Sequence, residues 1–164
     1  MRILGVDPGM KATGYGVIEI LGAEFSSLRL LEAGTIEPRT KDPLPHRIDK
    51  VYQCLSEIIR QFSPDILVLE KLYSHHRHPT TACLLGHVRG VILLVSAHHH
   101  LEVVEHSVKR IRKSVCGNGN ASKEQVRDIV KKTLKIQADT FALDASDALA
   151  LALGFARMQD VMRY

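Results

Sequence analysis

The chain has 164 residues, 45% apolar and 24% charged, the size and composition of a single globular domain spanning 1–164. No apolar run approaches the roughly 20 residues of a membrane span, and the longest, Ala148 to Ala156, is too short. Asp7 interrupts the start before a signal-peptide core could form, and Cys54, Cys83 and Cys116 include no CxxC pair. The expectation is a soluble, cytoplasmic domain without membrane, disulfide framework or zinc knuckle. Its charge is uneven: Lys109 to Lys135 holds nine Lys and Arg against two acids, while the remainder carries 13 basic and 16 acidic residues. Such a concentration suits a polyanion, although a solvated helix face gives the same pattern.

In chain order, Arg2 to Val6 reads as a strand ending at Asp7-Pro8-Gly9, followed by strands at Thr13 to Leu21 and Leu28 to Glu37 with short links. Sequential antiparallel pairing is expected for these three. Leu44, Ile48, Val51, Leu55, Ile58, Ile59 and Phe62 recur at helical spacing, predicting a helix over Pro43 to Phe62. Asp65 to Glu70 is a compact buried strand, a helix is expected near Thr80 to His98, and Leu101 to Glu105 is the fifth strand. Alternating helix and strand in this half predicts parallel pairing with helices on the faces. Ser107 to Val115 reads as helical, Ser122 and Gln125 have capping-box spacing at the start of another helix, and the last runs from about Asp144 to Met158. The fold class is α/β: a five-stranded mixed sheet, three antiparallel strands then parallel ones, flanked by helices.

Asp7 and Glu70 close the first and fourth strands, and strand carboxyl ends are common ligand sites. Asp144 and Asp147, spaced i, i+3, share one face of a largely apolar helix. Structural roles compete: Asp7 suits a turn before Pro8-Gly9, Asp144 a helix N-cap and Asp147 the helix dipole. Glu70 directly follows Ile66-Leu67-Val68-Leu69 and has no such alternative. Four converging acids without a cation would raise one another's pKa values, so convergence implies a divalent metal. Oxygen donors favour Mg²⁺ or Mn²⁺ over zinc, and two such ions in a carboxylate cluster are the usual device for in-line phosphodiester cleavage.

Ile3-Leu4-Gly5-Val6-Asp7-Pro8-Gly9 with Thr13-Gly14-Tyr15-Gly16, then Leu69-Glu70, Gly117-x-Gly119-x-Ala121-x-Lys123-x-Gln125, and Asp144-x-x-Asp147-Ala148-Leu149 resemble, in order, the motifs of the RuvC-type Holliday junction resolvases. The resemblance implies a ribonuclease H-like fold and a homodimer. It implies paired, symmetric nicking of four-way junction DNA, leaving 5′-phosphate and 3′-hydroxyl ends, in recombination and repair. It places Asp7, Glu70, Asp144 and Asp147 as catalytic ligands of two Mg²⁺ ions, replaceable by Mn²⁺, and implies a branch-migration helicase complex as partner. Tyr73 falls where the family has an aromatic residue facing unstacked bases, and Arg112 and Lys123 fall on its backbone-contacting cations. Lys113 and Arg77 are further candidate DNA contacts. Lys123, Arg127, Lys131 and Lys135 recur every four residues as one stripe.

The chain departs from the family at its histidines, His75, His76 and His78 and His98 to His100, and at His87-Val88-Arg89-Gly90, where Gln-Ala-Arg-Gly is usual. His75 and His78 could chelate a metal, but phosphate contact or dimer packing suits their loop better; a helix C-terminus suits His98 to His100. A junction-binding relative without catalysis, an RNA-cutting ribonuclease H and an actin-like ATPase domain are the rival readings. The last binds nucleotide between two such domains, and this length supplies one.

Overall fold

A computed structural model describes residues 1–22, 27–71, 79–137 and 143–161. Five strands form one sheet in the order β3-β2-β1-β4-β5. They are β1 (Arg2–Asp7), β2 (Thr13–Ile20), β3 (Leu28–Ile36), β4 (Ile66–Glu70) and β5 (Glu102–His106). β1, β2 and β3 pair antiparallel, whereas β4 lies parallel to β1, and β5 parallel to β4. The expected mixed sheet is therefore present. Its last strand is shifted by one residue, to end at His106, whose backbone is paired with Glu70.

The alternation of side chains divides the molecule into two cores. Leu4, Val6, Leu67 and Leu69 face α1 (Leu44–Phe62) and α2 (Pro79–His98). Ile3, Ile18, Ile66 and Val68 face α3 (Val108–Cys116), α4 (Lys123–Thr133) and α5 (Leu143–Val161). In α1 the buried Val51, Leu55, Ile58 and Ile59 keep helical spacing, and Ser63 ends the helix in the left-handed region at φ 44°, donating its N–H to Ile59. The capping box at α4 is complete: the Ser122 hydroxyl accepts from the Gln125 N–H, and the Gln125 side chain accepts from the Ser122 N–H. That helix stops at Thr133 with Leu134 as its cap. Lys135 lies past it with φ 54°, so it drops out of the expected four-residue stripe.

The position of α5 depends on glycine. A Cβ on Gly5 would overlap the carbonyl oxygen of Ala148 and lie 3.0 Å from the Ala152 nitrogen. One on Gly14 would overlap the Asp144 carbonyl, and one on Gly16 would enter the Leu149 side chain. Gly5 and Gly16 are paired across β1 and β2, so the sheet presents bare backbone under the helix. Small residues answer from above: Ala145, Ala148 and Ala152 are essentially fully buried. Backbone against backbone brings the helix closer than ordinary helix–sheet packing permits. Because α5 is enclosed by the sheet, α3 and α4, it can be apolar on nearly every side.

Thr80–His98 in α2, with mean hydropathy 1.5, is long and apolar enough to qualify as a membrane span by length and composition, although only 22% of it is buried. Polar residues such as His87 and Arg89 interrupt it, so it holds no long unbroken apolar run. Within it, Arg89 pairs with Glu105 of β5.

Replacing Gly5 or Gly14 by alanine forces backbone apart from backbone. Each variant is expected to lose more than about 2–3 kcal/mol of unfolding free energy, measured by urea denaturation, against the usual gain for a Gly→Ala change at a compatible site.

Candidate active site

The parallel pairing of β1 with β4 brings the ends of two strands distant in sequence side by side, with Val6 opposite Leu69 as the last paired positions. One residue further, Asp7 and Glu70 both turn, by strand alternation, to the face covered by α5. Asp144 lies in the first turn of α5, where its carbonyl rests on Gly14, and Asp147 follows one turn later. Asp144 is not the N-cap, since the helix already includes Leu143. Asp7, Glu70 and Asp147 line a cavity of about 180 Å³ together with Arg112 and Lys123; Val108, Ile111, Val126, Ala150 and Leu151 complete its wall.

Crowding of acids in a half-buried site has a clear electrostatic signature. Desolvation, then the charges of Glu70 and Asp147, push the Asp7 carboxyl from 3.8 up to about 7; Lys123 opposes this, and Asp144 adds to it. Glu70 is likewise raised, first by burial and then by Asp147, against the attraction of Lys123, Arg112 and Arg89. Lys123 bonds Asp147 directly, Nζ to Oδ2 at 2.7 Å, and that bond holds the ammonium pKa above its ordinary value. The cavity thus sets three carboxyls against two cations, and burial with mutual repulsion favours the protonated forms of Asp7 and Glu70. Its acidic donors are all carboxylate oxygens, the set that suits a hard divalent cation. As the side chains stand, no three His, Cys, Asp or Glu among the described residues close on a common point that could hold an ion, with Asp147 turned to Lys123.

The other sequence candidates divide. Arg112 lines the cavity, whereas Lys113 is exposed on α3 and is not part of the lining. Tyr73, Arg77, His75, His76 and His78 lie outside the described residues. His98 ends α2, where its Nδ1 is 2.9 Å from the Tyr52 hydroxyl, and His99 and His100 follow it in the turn. Two features escaped sequence reasoning. The glycine contact surface was legible only as small residues recurring on one face of two strands and one helix. Arg89, which donates to the Glu70 carbonyl at 2.7 Å, was visible only as a lone charge in an apolar helix.

A ribonuclease H-like sheet with acids at adjacent strand ends, a further acid pair on the covering helix, and cations around them defines a divalent-metal nuclease class. Residues 3–155 match the family model for the crossover junction endodeoxyribonuclease RuvC, and the chain belongs to that family. It is 43% identical over 153 residues to the RuvC of Chloroherpeton thalassium, covering 93% of this chain and 80% of that protein. It is 41% identical to the RuvC of Rhodopirellula baltica, covering 92% and 83%. The Thermus thermophilus RuvC structure superposes with a TM-score of 0.89 at 24% identity, covering 99% of this chain and 97% of that one. The T. thermophilus RuvC solved in complex with a Holliday junction substrate gives 0.88 at 26% identity, covering 98% and 97%.

The raised carboxyl of Asp7 gives stability a definite pH dependence. With chelator present, Asp7 favours the folded state as long as it is protonated there, and that advantage is lost as pH rises from about 4 through about 7. The neutral Asp7→Asn variant lacks this penalty. Its melting temperature should match wild type near pH 4, pull ahead by about a few degrees by pH 8, and show no further separation above that.

Proposed function

We propose that this chain is a structure-selective endodeoxyribonuclease that resolves four-way DNA junctions by paired symmetric nicks, leaving 5′-phosphate and 3′-hydroxyl ends. It acts in the cytoplasm, in homologous recombination and repair, as one ribonuclease H-like domain spanning 1–164. The observation that carries this reading is the convergence of Asp7, Glu70 and Asp147 on one cavity whose wall includes Arg112 and Lys123. Asp144, one turn away on α5, completes the acidic set.

Asp7, Glu70, Asp144 and Asp147 are the residues that would hold two Mg²⁺ ions, or Mn²⁺ in their place. When bound, such ions lower the pKa of an attacking water and stabilise the departing 3′ oxygen. The protein's own part is to fix the carboxylates. Asp7 and Glu70 are set by strand pairing, and Asp144 and Asp147 by the seating of α5. Lys123 and Arg112 bind and orient the phosphodiester, with the wider basic segment, Lys113 included, holding the flanking backbone. Tyr73, in the segment after Glu70, would serve at the crossover, where an aromatic face can stack on an unpaired base, with Arg77 as a further DNA contact.

Two opposed strands need two related sites, and a twofold dimer supplies them. The surface that suits a second copy is α2. Leu93 and Leu94 are 40% and 49% exposed, and a Cβ on Gly86 or Gly90 would meet nothing within 4 Å. This face also accounts for an apolar helix whose buried share is small. A branch-migration helicase complex, the family's partner, would deliver the junction.

The central test is cleavage of a labelled synthetic four-way junction with Mg²⁺, beside linear duplex. Wild type should give symmetric nicks on the junction alone. Asp7→Asn and Glu70→Gln should lose roughly 10³-fold or more in rate while still binding it. Tight binding without cleavage in Mg²⁺ and Mn²⁺, over several junction sequences, would mean a binding module instead. Lys123→Ala should reduce the salt dependence of binding by about one phosphate contact. Leu94→Glu should halve the solution mass measured by light scattering and uncouple the two nicks.

A further inference from the structure

Arg89, on α2, reaches the end of the acid-bearing strand without lining the cavity. Its side chain is only 12% exposed, in a helix otherwise rich in aliphatic residues. A buried guanidinium is costly unless its donors are matched. Here one arm donates to the Glu70 carbonyl at 2.7 Å and the other pairs with the Glu105 carboxylate of β5. The place of the first bond matters. The ladder between β1 and β4 ends at Val6 opposite Leu69, one residue short of Glu70. On its other side β4 remains tied to β5, with the Lys71 N–H bonded to the His106 carbonyl at 2.9 Å. The peptide that carries the Glu70 side chain thus stands beyond its partner ladder on β1, and Arg89 supplies a fixed donor from the opposite face of the sheet.

We infer that Arg89 is a positioning residue for cleavage: by holding the Glu70 carbonyl and the Glu105 carboxylate together, it fixes the end of β4 and hence the carboxylate that Glu70 presents to the metal. This rests on the reading of Glu70 as a metal ligand. The planar fork suits the task because it reaches two acceptors on two strands at once, where an ammonium on a flexible stem would hold one at a time. Groups that orient a ligand typically alter metal affinity or activity by about 10–100-fold when removed. Since the same helix carries the exposed Leu93 and Leu94, the seating of α2 is mechanically joined to the carboxylate on the other side of the sheet.

The test titrates Mn²⁺ alone, with no DNA, into the full-length protein and follows free Mn²⁺ by electron paramagnetic resonance. Single-turnover junction cleavage against Mn²⁺ concentration and junction binding in EDTA are measured on the same samples. Arg89→Met should bind Mn²⁺ about tenfold more weakly and need about tenfold more for half-maximal cleavage, while junction affinity in EDTA stays within about twofold. Arg89→Lys should fall between that variant and wild type, and so should Glu105→Gln, which keeps the bond to Glu70 but removes the charge that anchors the other arm of the guanidinium. If Arg89→Met fails to fold by circular dichroism, Arg89→Lys carries the decision. Unchanged Mn²⁺ affinity and cleavage in the folded Arg89 variants would falsify the inference and leave Arg89 as a helix-to-strand tie. Glu70→Gln separates the two levels of the claim. A dead Glu70→Gln beside a wild-type-like Arg89→Met overturns only the role of Arg89. A Glu70→Gln variant that binds Mn²⁺ and cleaves normally overturns the assignment of Glu70 and this inference with it.

Discussion

The contact between the backbone of α5 and the bare backbone at Gly5, Gly14 and Gly16 is the constraint on which the remainder of the molecule depends. It sets the height of the helix above the sheet and hence the distance from Asp147 to the strand ends. It also explains composition that otherwise looks arbitrary: three glycines in strands, where they are conformationally costly, and alanines along a helix where larger side chains would bury more area. What those positions forgo in side-chain packing is offset by a large enclosed interface, with Leu149 and Leu153 fully buried within it.

On that foundation the sheet topology supplies an acid pair, and the pair creates an electrostatic problem that the fold leaves partly unsolved. Asp7 is desolvated and feels three further carboxylates, Glu70, Asp147 and Asp144. Lys123 reaches only Asp147 with a direct bond, and its side chain is 64% exposed. A well-packed domain could have replaced such charges with apolar residues at no loss of stability. Their retention around a cavity, with cations on its rim, is the physical ground for proposing this site as the metal centre of a chain that belongs to a nuclease family.

Much of this was legible in the residues. Strand alternation and helical spacing yielded the ten elements of the described residues with boundary errors of a few residues at most, because each segment is long or strongly patterned. The acids stood out because Glu70 follows four apolar residues without a structural reason, and because Asp144 and Asp147 open an apolar helix. The rest required three dimensions. Nothing in the local pattern of α4 showed that Leu134 would cap it and remove Lys135 from the stripe. Nor did the alternation of α2 distinguish a helix buried on both sides from one leaving Leu93 and Leu94 exposed, since an apolar residue reads the same either way. Arg89 was invisible as a site residue because its partners come from other elements, Glu70 being 19 positions back and Glu105 16 positions forward.

The order in which the chain supplies its acids has a bearing on biosynthesis. Asp7 emerges almost first, Glu70 near the middle, and Asp144 and Asp147 only on the final helix. Synthesis proceeds from the N-terminus, and non-local contacts close last in folding. A nascent or truncated chain lacking α5 lacks Asp144 and Asp147, two of the four acids proposed for the site, and the glycine surface that seats that helix lies uncovered. On the proposed assignment of these acids, the capacity to cut is therefore the last property the molecule acquires, and a copy without α5 has none.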